Sequence, residues 1–381
     1  MKLLNPPQQY IAEHGDTKPY IELIQDACIT GEDNIGGYAV PITGKHAYIR
    51  GNGKVPTDNF DELQNDEKYD SIIISDGKDL DGVAATAVYK HVFDNPLIFY
   101  NASDPQNVLE EVLNCNPNLP TYVVDHQPSP AEEWNKYVDG IEEFYIRDHH
   151  PYVSDLQSGV DYAHSENASA TEIALNHDAT SPPSHLQKLA DATTIRDLWQ
   201  TDSPDFEKYS LLDIAADVCV RPLLSSKLEE SGTGILTQPS FFQVLKNINY
   251  ERWLRADWLL RQQDYNDQRS VNGVTIRTIY GHTPDTSLLC HEAMEQFNVD
   301  IAVNVMPVFG SDGMHTISLR ATETHPAAQD IVKSFNGGGH RTASGASIAL
   351  RSEQPEHQVQ EAAAAIEGAY RTLTREKNTT V

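Results

Sequence analysis

The chain has 381 residues with 28 basic and 56 acidic side chains, a formal net charge of −28. That balance argues against tight binding of long nucleic acid, which needs a basic stripe to displace counterions. Hydrophobic residues make up 39% of the chain, enough for globular cores, and no apolar run approaches the roughly 20 residues of a membrane helix.

The stretch MKLLNPPQQYIAEHGD lacks the apolar core of a signal peptide, which predicts a cytoplasmic protein. Cys28, Cys115, Cys219 and Cys290 stand far apart without CxxC spacing and read as reduced thiols. Asn52-Gly53 suggests a hairpin turn within residues 1–65, an N-terminal extension of unassigned role. An α/β block follows over 66–235. SIIIS (71–75), LIFY (97–100), TYVVD (121–125) and EFYIRD (143–148) read as strands. GVAATAVYKHVF (82–93), the stretch near 105–113 and PAEEWNKYV (130–138) read as helices between them. This rhythm predicts right-handed crossovers and a parallel, doubly wound sheet. Helices are also expected at 168–177 and 185–199, the second presenting Asp191 and Asp197. LEESGTGILTQPS (228–240) reads as a loop ending the domain. A helical linker over 236–269 leads to a smaller α/β domain at 270–381, with strands at GVTIRTIY, DIAVNVMPVF and HTISLRA and helices near 326–335 and 354–375.

Ligands of such sheets gather beyond the carboxyl ends of the strands. Asp76 to Asp81 follow the first strand, Asp125 and His126 the third, and Asp148, His149 and His150 the fourth. Singly, a DxD in a loop is more often a turn or a helix cap. Together the three clusters place several carboxylates and two imidazoles at one point, where like charges repel unless cations neutralise them. Oxygen donors with one or two histidines suit Mn²⁺ or Mg²⁺. A pair of such ions about 4 Å apart serves phosphoester hydrolysis. In SFNGGGHRTASGAS (334–347) three glycines would let successive N–H groups form an anion nest. His340 and Arg341 add donors there, and Arg320 in SLRA offers a bidentate phosphate contact.

DxDG (79–82), VVD (123–125), DHH (148–150), RDLW (196–199), SLR (318–320) and GGGH (337–340), in that order, resemble the DHH phosphoesterase superfamily. The likeness covers roughly 70–350 and is nearest to the branch with a DHH-associated C-terminal domain: RecJ-type exonucleases, oligoribonucleases and cyclic-dinucleotide or pAp phosphatases. The resemblance implies two manganese ions, with magnesium as the alternative. Asp79 would bind the first ion, Asp81 the second, and Asp125 both, while His149 and Asp197 complete the second site. Asp148 would support the histidines, and His150 would lie near the metals or the scissile phosphate. Arg320, Gly337, Gly338, Gly339, His340 and Arg341 would hold the substrate from the other domain. The family's first motif usually opens with a histidine, and Gly77 stands at that place here. Asp76, after a one-residue shift, is the preferred substitute; the other readings are that His126 fills in or that the first metal is held weakly. The implied activity is a manganese-dependent phosphodiesterase degrading short oligonucleotides or linear dinucleotides to mononucleotides. The alternatives are a cyclic-dinucleotide phosphodiesterase or a pAp phosphatase and, in a different class, an inactive nucleotide-binding sensor. Long nucleic acid and membranes are not expected partners, and a homodimer is compatible with the sequence.

Overall fold

The computed structural model describes residues 69–379 apart from 78, 101–104, 220, 284, 309–312 and 326; the extension over 1–65, with its Asn52-Gly53 turn, lies outside them. The described chain divides into two compact units, one ending at Ile248 and one beginning at Asn249.

In the first unit, β1 (Ser71–Ser75) is buried along its whole length. Three consecutive isoleucines suit a strand covered on both faces. Ile73 packs with Val83, Ala84 and Val88 of α1 (Leu80–Val92), whereas Ile72 and Ile74 join Val108, Val112 and Trp134 in the opposite core. The chain continues through β2 (Pro96–Tyr100), α2 (Pro105–Cys115), β3 (Thr121–Val124), α3 (Ala131–Gly140), β4 (Phe144–Asp148) and β5 (Asp161–His164). The strands lie in the order β2-β1-β3-β4-β5, and every pairing is parallel. The order reverses between β1 and β3. A crevice therefore opens beyond their carboxyl ends, where crossovers leave in opposite directions. The parallel, doubly wound expectation is met.

Gly82 sets how closely α1 approaches the end of β1. A Cβ there would stand 1.4 Å from the Asp76 carbonyl oxygen, so only glycine fits. Gly82→Ala is expected to cost about 3 kcal/mol or more through overpacking, read as a lowered midpoint in urea unfolding. An unchanged midpoint would mean that the β1–α1 turn relaxes freely.

α4 (Ala170–Asp178), α5 (Ser184–Asp197), α6 (Phe206–Val218) and α7 (Arg221–Ser231) add to the α1 side of the sheet. The loop expected at 228–240 is not found. α7 and a 3₁₀ segment at Gly232–Thr237 occupy most of it. Leu228, Ile235 and Leu236 are buried in the core, and their burial outweighs the glycine- and serine-rich composition. α8 (Pro239–Arg261) carries the boundary between the units.

The second unit holds a six-stranded mixed sheet, β10-β11-β9-β8-β7-β6. Its strands are β6 (Asn266–Val271), β7 (Val274–Tyr280), β8 (Ile301–Pro307), β9 (Met314–Ala321), β10 (Gly338–Gly339) and β11 (Ala343–Ala349). β7 and β8 pair in parallel, and the other neighbours are antiparallel. α9 (Thr286–Phe297) packs in one core with Ile279 and Ala302, while α10 (Ala328–Lys333) and α11 (Pro355–Thr379) cover the other face. Among the described residues, Cys115, Cys219 and Cys290 form no disulfide.

Candidate metal centre

Each acidic motif leaves the sheet at its carboxyl edge. After β1, Asp79 caps α1, accepting hydrogen bonds from the Asp81 N–H (3.1 Å) and the Gly82 N–H (3.3 Å). Asp81, in the first turn of α1, is 2% exposed. Its carboxylate accepts from the Ala170 N–H at 2.6 Å, the Thr171 N–H at 2.9 Å and the Thr171 hydroxyl at 2.6 Å. A carboxylate offers about four lone-pair sites. The N-terminus of α4 thus fixes Asp81 and leaves it capacity for an ion. SATE (169–172) is a capping box in sequence, with the Ser169 hydroxyl accepting from the Glu172 N–H at 3.2 Å. That signal marks the helix start, but sequence gives no sign that Asp81 meets it.

After β3, Asp125 is 2% exposed and adopts φ +59°, in the left-handed region. Asp tolerates this conformation better than most residues, and it places the carboxylate beside the histidines that follow β4. His149 bridges two acids. Its Nε2 is 3.2 Å from Asp125 Oδ1, and its Nδ1 is 3.0 Å from Asp197 Oδ2 at the end of α5. His150 Nδ1 is 2.7 Å from Asp148 Oδ1. Donor atoms of Asp81, Asp125 and His149 lie within 4.8 Å of one another, as do those of Asp125, Asp148 and His150. Asp125 belongs to both groups, which is the placement a bridging carboxylate requires.

Electrostatics follow from burial. Asp79 is held well above the usual carboxylate range by burial first, then by the charges of Asp76, Asp197 and Asp81. Burial and then Asp79 raise Asp125 in the same way, and burial and then Asp197 raise Asp81. Burial alone would disfavour a charged His149, but its close approach to Asp125 and Asp197 prevails and raises its pKa. Asp148 is the exception. Burial would raise it, yet the hydrogen bond with His150 holds it below its usual value.

The donor set fits hard divalent cations: carboxylate oxygens in excess, an imidazole, and repulsion that a cation would relieve. Without metal, the raised carboxyls of Asp79, Asp81 and Asp125 stabilise the fold fully below their ordinary value, and this contribution is lost as pH rises through their raised folded values. Metal uptake must displace those protons. Apparent Mn²⁺ affinity is therefore expected to rise with pH by about tenfold per unit for each proton released. Calorimetry in buffers of different ionisation enthalpy measures the release; a pH-independent affinity would contradict this electrostatic picture.

Asp76 follows β1, and its charge bears on Asp79. His126 is buried beside Asp125. At Gly77 a side chain has no room, because a Cβ would stand 2.9 Å from both Arg221 Cδ and Tyr100 Cβ. The Arg221 Nε–H donates to the Gly77 carbonyl. Asp191 is on an exposed turn of α5. Motif arginines that sequence reasoning left unassigned do structural work. Arg147 is 1% exposed and donates to Asp178 at 2.9 and 2.8 Å. Arg196 stacks over Trp199 at 4.4 Å and Phe206 at 4.9 Å and pairs with Asp213.

In the second unit, Arg320 on β9 is opposite Ala343 and donates to the Ser287 hydroxyl at 2.6 Å. The expected three-donor nest is not formed. The Gly337 N–H donates to the Val332 carbonyl at 2.9 Å and the His340 N–H to the Ala343 carbonyl at 2.7 Å. Gly338 and Gly339 pair with Gly345 and Ser344 as β10. Gly339, at φ +126°, meets the Ala343 carbonyl 2.7 Å from where a Cβ would be. The Arg341 carbonyl accepts from the Ala328 N–H at 2.9 Å.

No family model and no curated protein matches this chain. Among solved structures it is similar to RecJ from Thermus thermophilus in complex with Mn²⁺, at 15% identity and a TM-score of 0.50, over 97% of this chain and 62% of that one. A pGpG-specific phosphodiesterase from Vibrio cholerae aligns at 14% identity and a TM-score of 0.48, over 80% of this chain and 99% of that one. An exopolyphosphatase-related protein from Bacteroides fragilis aligns at 15% and 0.48, over 83% and 97%. The fold is that of RecJ, as the order of the DHH motifs predicts.

Proposed function

We propose that this protein is a divalent-metal-dependent phosphodiesterase that degrades short oligonucleotides or linear dinucleotides to mononucleotides. The observation that carries this reading is the meeting of Asp81, Asp125 and His149 within 4.8 Å at the reversal point of the sheet. Asp79, Asp81, Asp125, His149 and Asp197 would hold two ions, with Asp125 shared and Asp76 adding negative charge beside Asp79. Manganese suits oxygen donors joined by one imidazole, and RecJ of the same fold was solved with Mn²⁺. When bound, such ions polarise a phosphoryl oxygen and lower the pKa of water.

The chain's own groups do the rest. Asp81, fixed by three hydrogen bonds, and His149, set between two acids, arrive preorganised. Asp148 is kept ionised by the His150 hydrogen bond and accepts the Nδ1–H of His150. That pairing sets the orientation of the His150 ring, which would lie near the metals or the scissile phosphate. In the second unit, Arg320, Arg341 and His340 are the proposed contacts to substrate phosphate and nucleotide.

The net charge of −28 favours short substrates over long ones. The test is hydrolysis of end-labelled RNAs from dinucleotide to decamer with Mn²⁺, beside pAp and cyclic dinucleotides. Stepwise shortening that is fastest on the shortest RNAs is expected. Activity confined to pAp or to a cyclic dinucleotide would replace the short-oligonucleotide reading.

A further inference from the structure

Immediately after the DHH triplet, Tyr152 is 61% exposed, the most exposed large apolar side chain among the described residues. It is not loose. Its ring lies parallel to that of Tyr162 on β5, with centroids 5.4 Å apart and planes 5° from parallel. His164, two residues along the same strand, is 5.3 Å away by centroid. His164 Nε2 also meets the His150 carbonyl at 2.5 Å, which ties this aromatic cluster to the backbone of the DHH triplet. Tyr152 follows His150 by two residues, at most about 7 Å of extended chain.

A rigid, backed ring with a face open to water suits a nucleobase, since every base has a π-face and stacking tolerates sequence. We propose that Tyr152 is the platform on which the base next to the scissile phosphate stacks, which makes it a specificity-determining residue for nucleotides over base-free phosphoesters. This rests on reading the adjoining site as a phosphodiesterase centre.

The test is calorimetric binding of AMP and of ribose 5-phosphate to the Mn²⁺-loaded full chain. Wild type is expected to prefer AMP by about 5- to 150-fold, the equivalent of one stacked base. Tyr152→Ala should remove most of that preference without changing ribose 5-phosphate affinity, and Tyr152→Phe should keep it. Absence of the preference in wild type, or its persistence in Tyr152→Ala, would overturn the proposal. Failure of wild type to hydrolyse any short RNA would instead sink the phosphodiesterase reading, because base preference is measured here without turnover.

Discussion

Asp125→Asn is expected to lower kcat/KM on a short RNA by about a thousandfold or more, roughly 4 kcal/mol of transition-state stabilisation, while the protein stays folded. Asp125 is shared by the two carboxylate-containing groups of candidate metal donors, so its loss weakens each of these. The backbone should tolerate the change, because asparagine adopts the left-handed region as readily as aspartate and φ here is +59°. Stability without metal should hold or improve. Burial and the charge of Asp79 raise the Asp125 carboxyl, and asparagine removes one member of that repulsive set. Steady-state kinetics beside a thermal melt separates the effects. Full activity in a folded variant would place the chemistry elsewhere; lost activity with a collapsed melt would make Asp125 a structural residue.

The second large effect is on folding. Arg147 is buried with Asp178, whose carboxylate it grips through two nitrogens and whose side chain is 9% exposed. The Tyr89 hydroxyl donates to the same carboxylate at 2.8 Å. Arg147→Met leaves Asp178 buried without its cation, and breaking such a pair costs about 3–5 kcal/mol. Urea unfolding should show that loss, and Arg147→Met/Asp178→Asn should recover much of it, since the charge left without a partner, Asp161, has a side chain that is 59% exposed. If the double variant is no better than the single one, lost packing rather than the stranded carboxylate dominates. Asp148 is the next residue, so the pair also anchors the strand end that presents the histidines.

What could be read from sequence follows burial pattern. SIIIS announces a strand covered on both faces, and it is one. DYAH does not: β5 is a polar edge strand whose place comes from pairing with β4, Asp148 opposite His164, a long-range fact absent from local composition. The same divide runs through the metal centre. Acidic residues at strand ends are legible because parallel sheets gather ligands there. The partners that aim them are not. Thr171 holds Asp81 from ninety residues away, and Arg221 closes the space beside Gly77 from a distant helix. The glycine run at 337–339 misled for the opposite reason. Its composition suits an anion nest, but β11 was available to pair with it, and backbone donors take the nearest acceptors.

The proposed role of this convergence of acids and imidazoles is to hold metal for phosphodiester hydrolysis. Its most direct test is a dinucleotide hydrolysis assay on metal-stripped protein titrated with Mn²⁺, with bound metal counted in the same samples. Turnover absent without metal and rising in step with occupancy is the predicted result. Full turnover in the stripped protein, or occupancy with no turnover of any phosphodiester tested, would contradict the account.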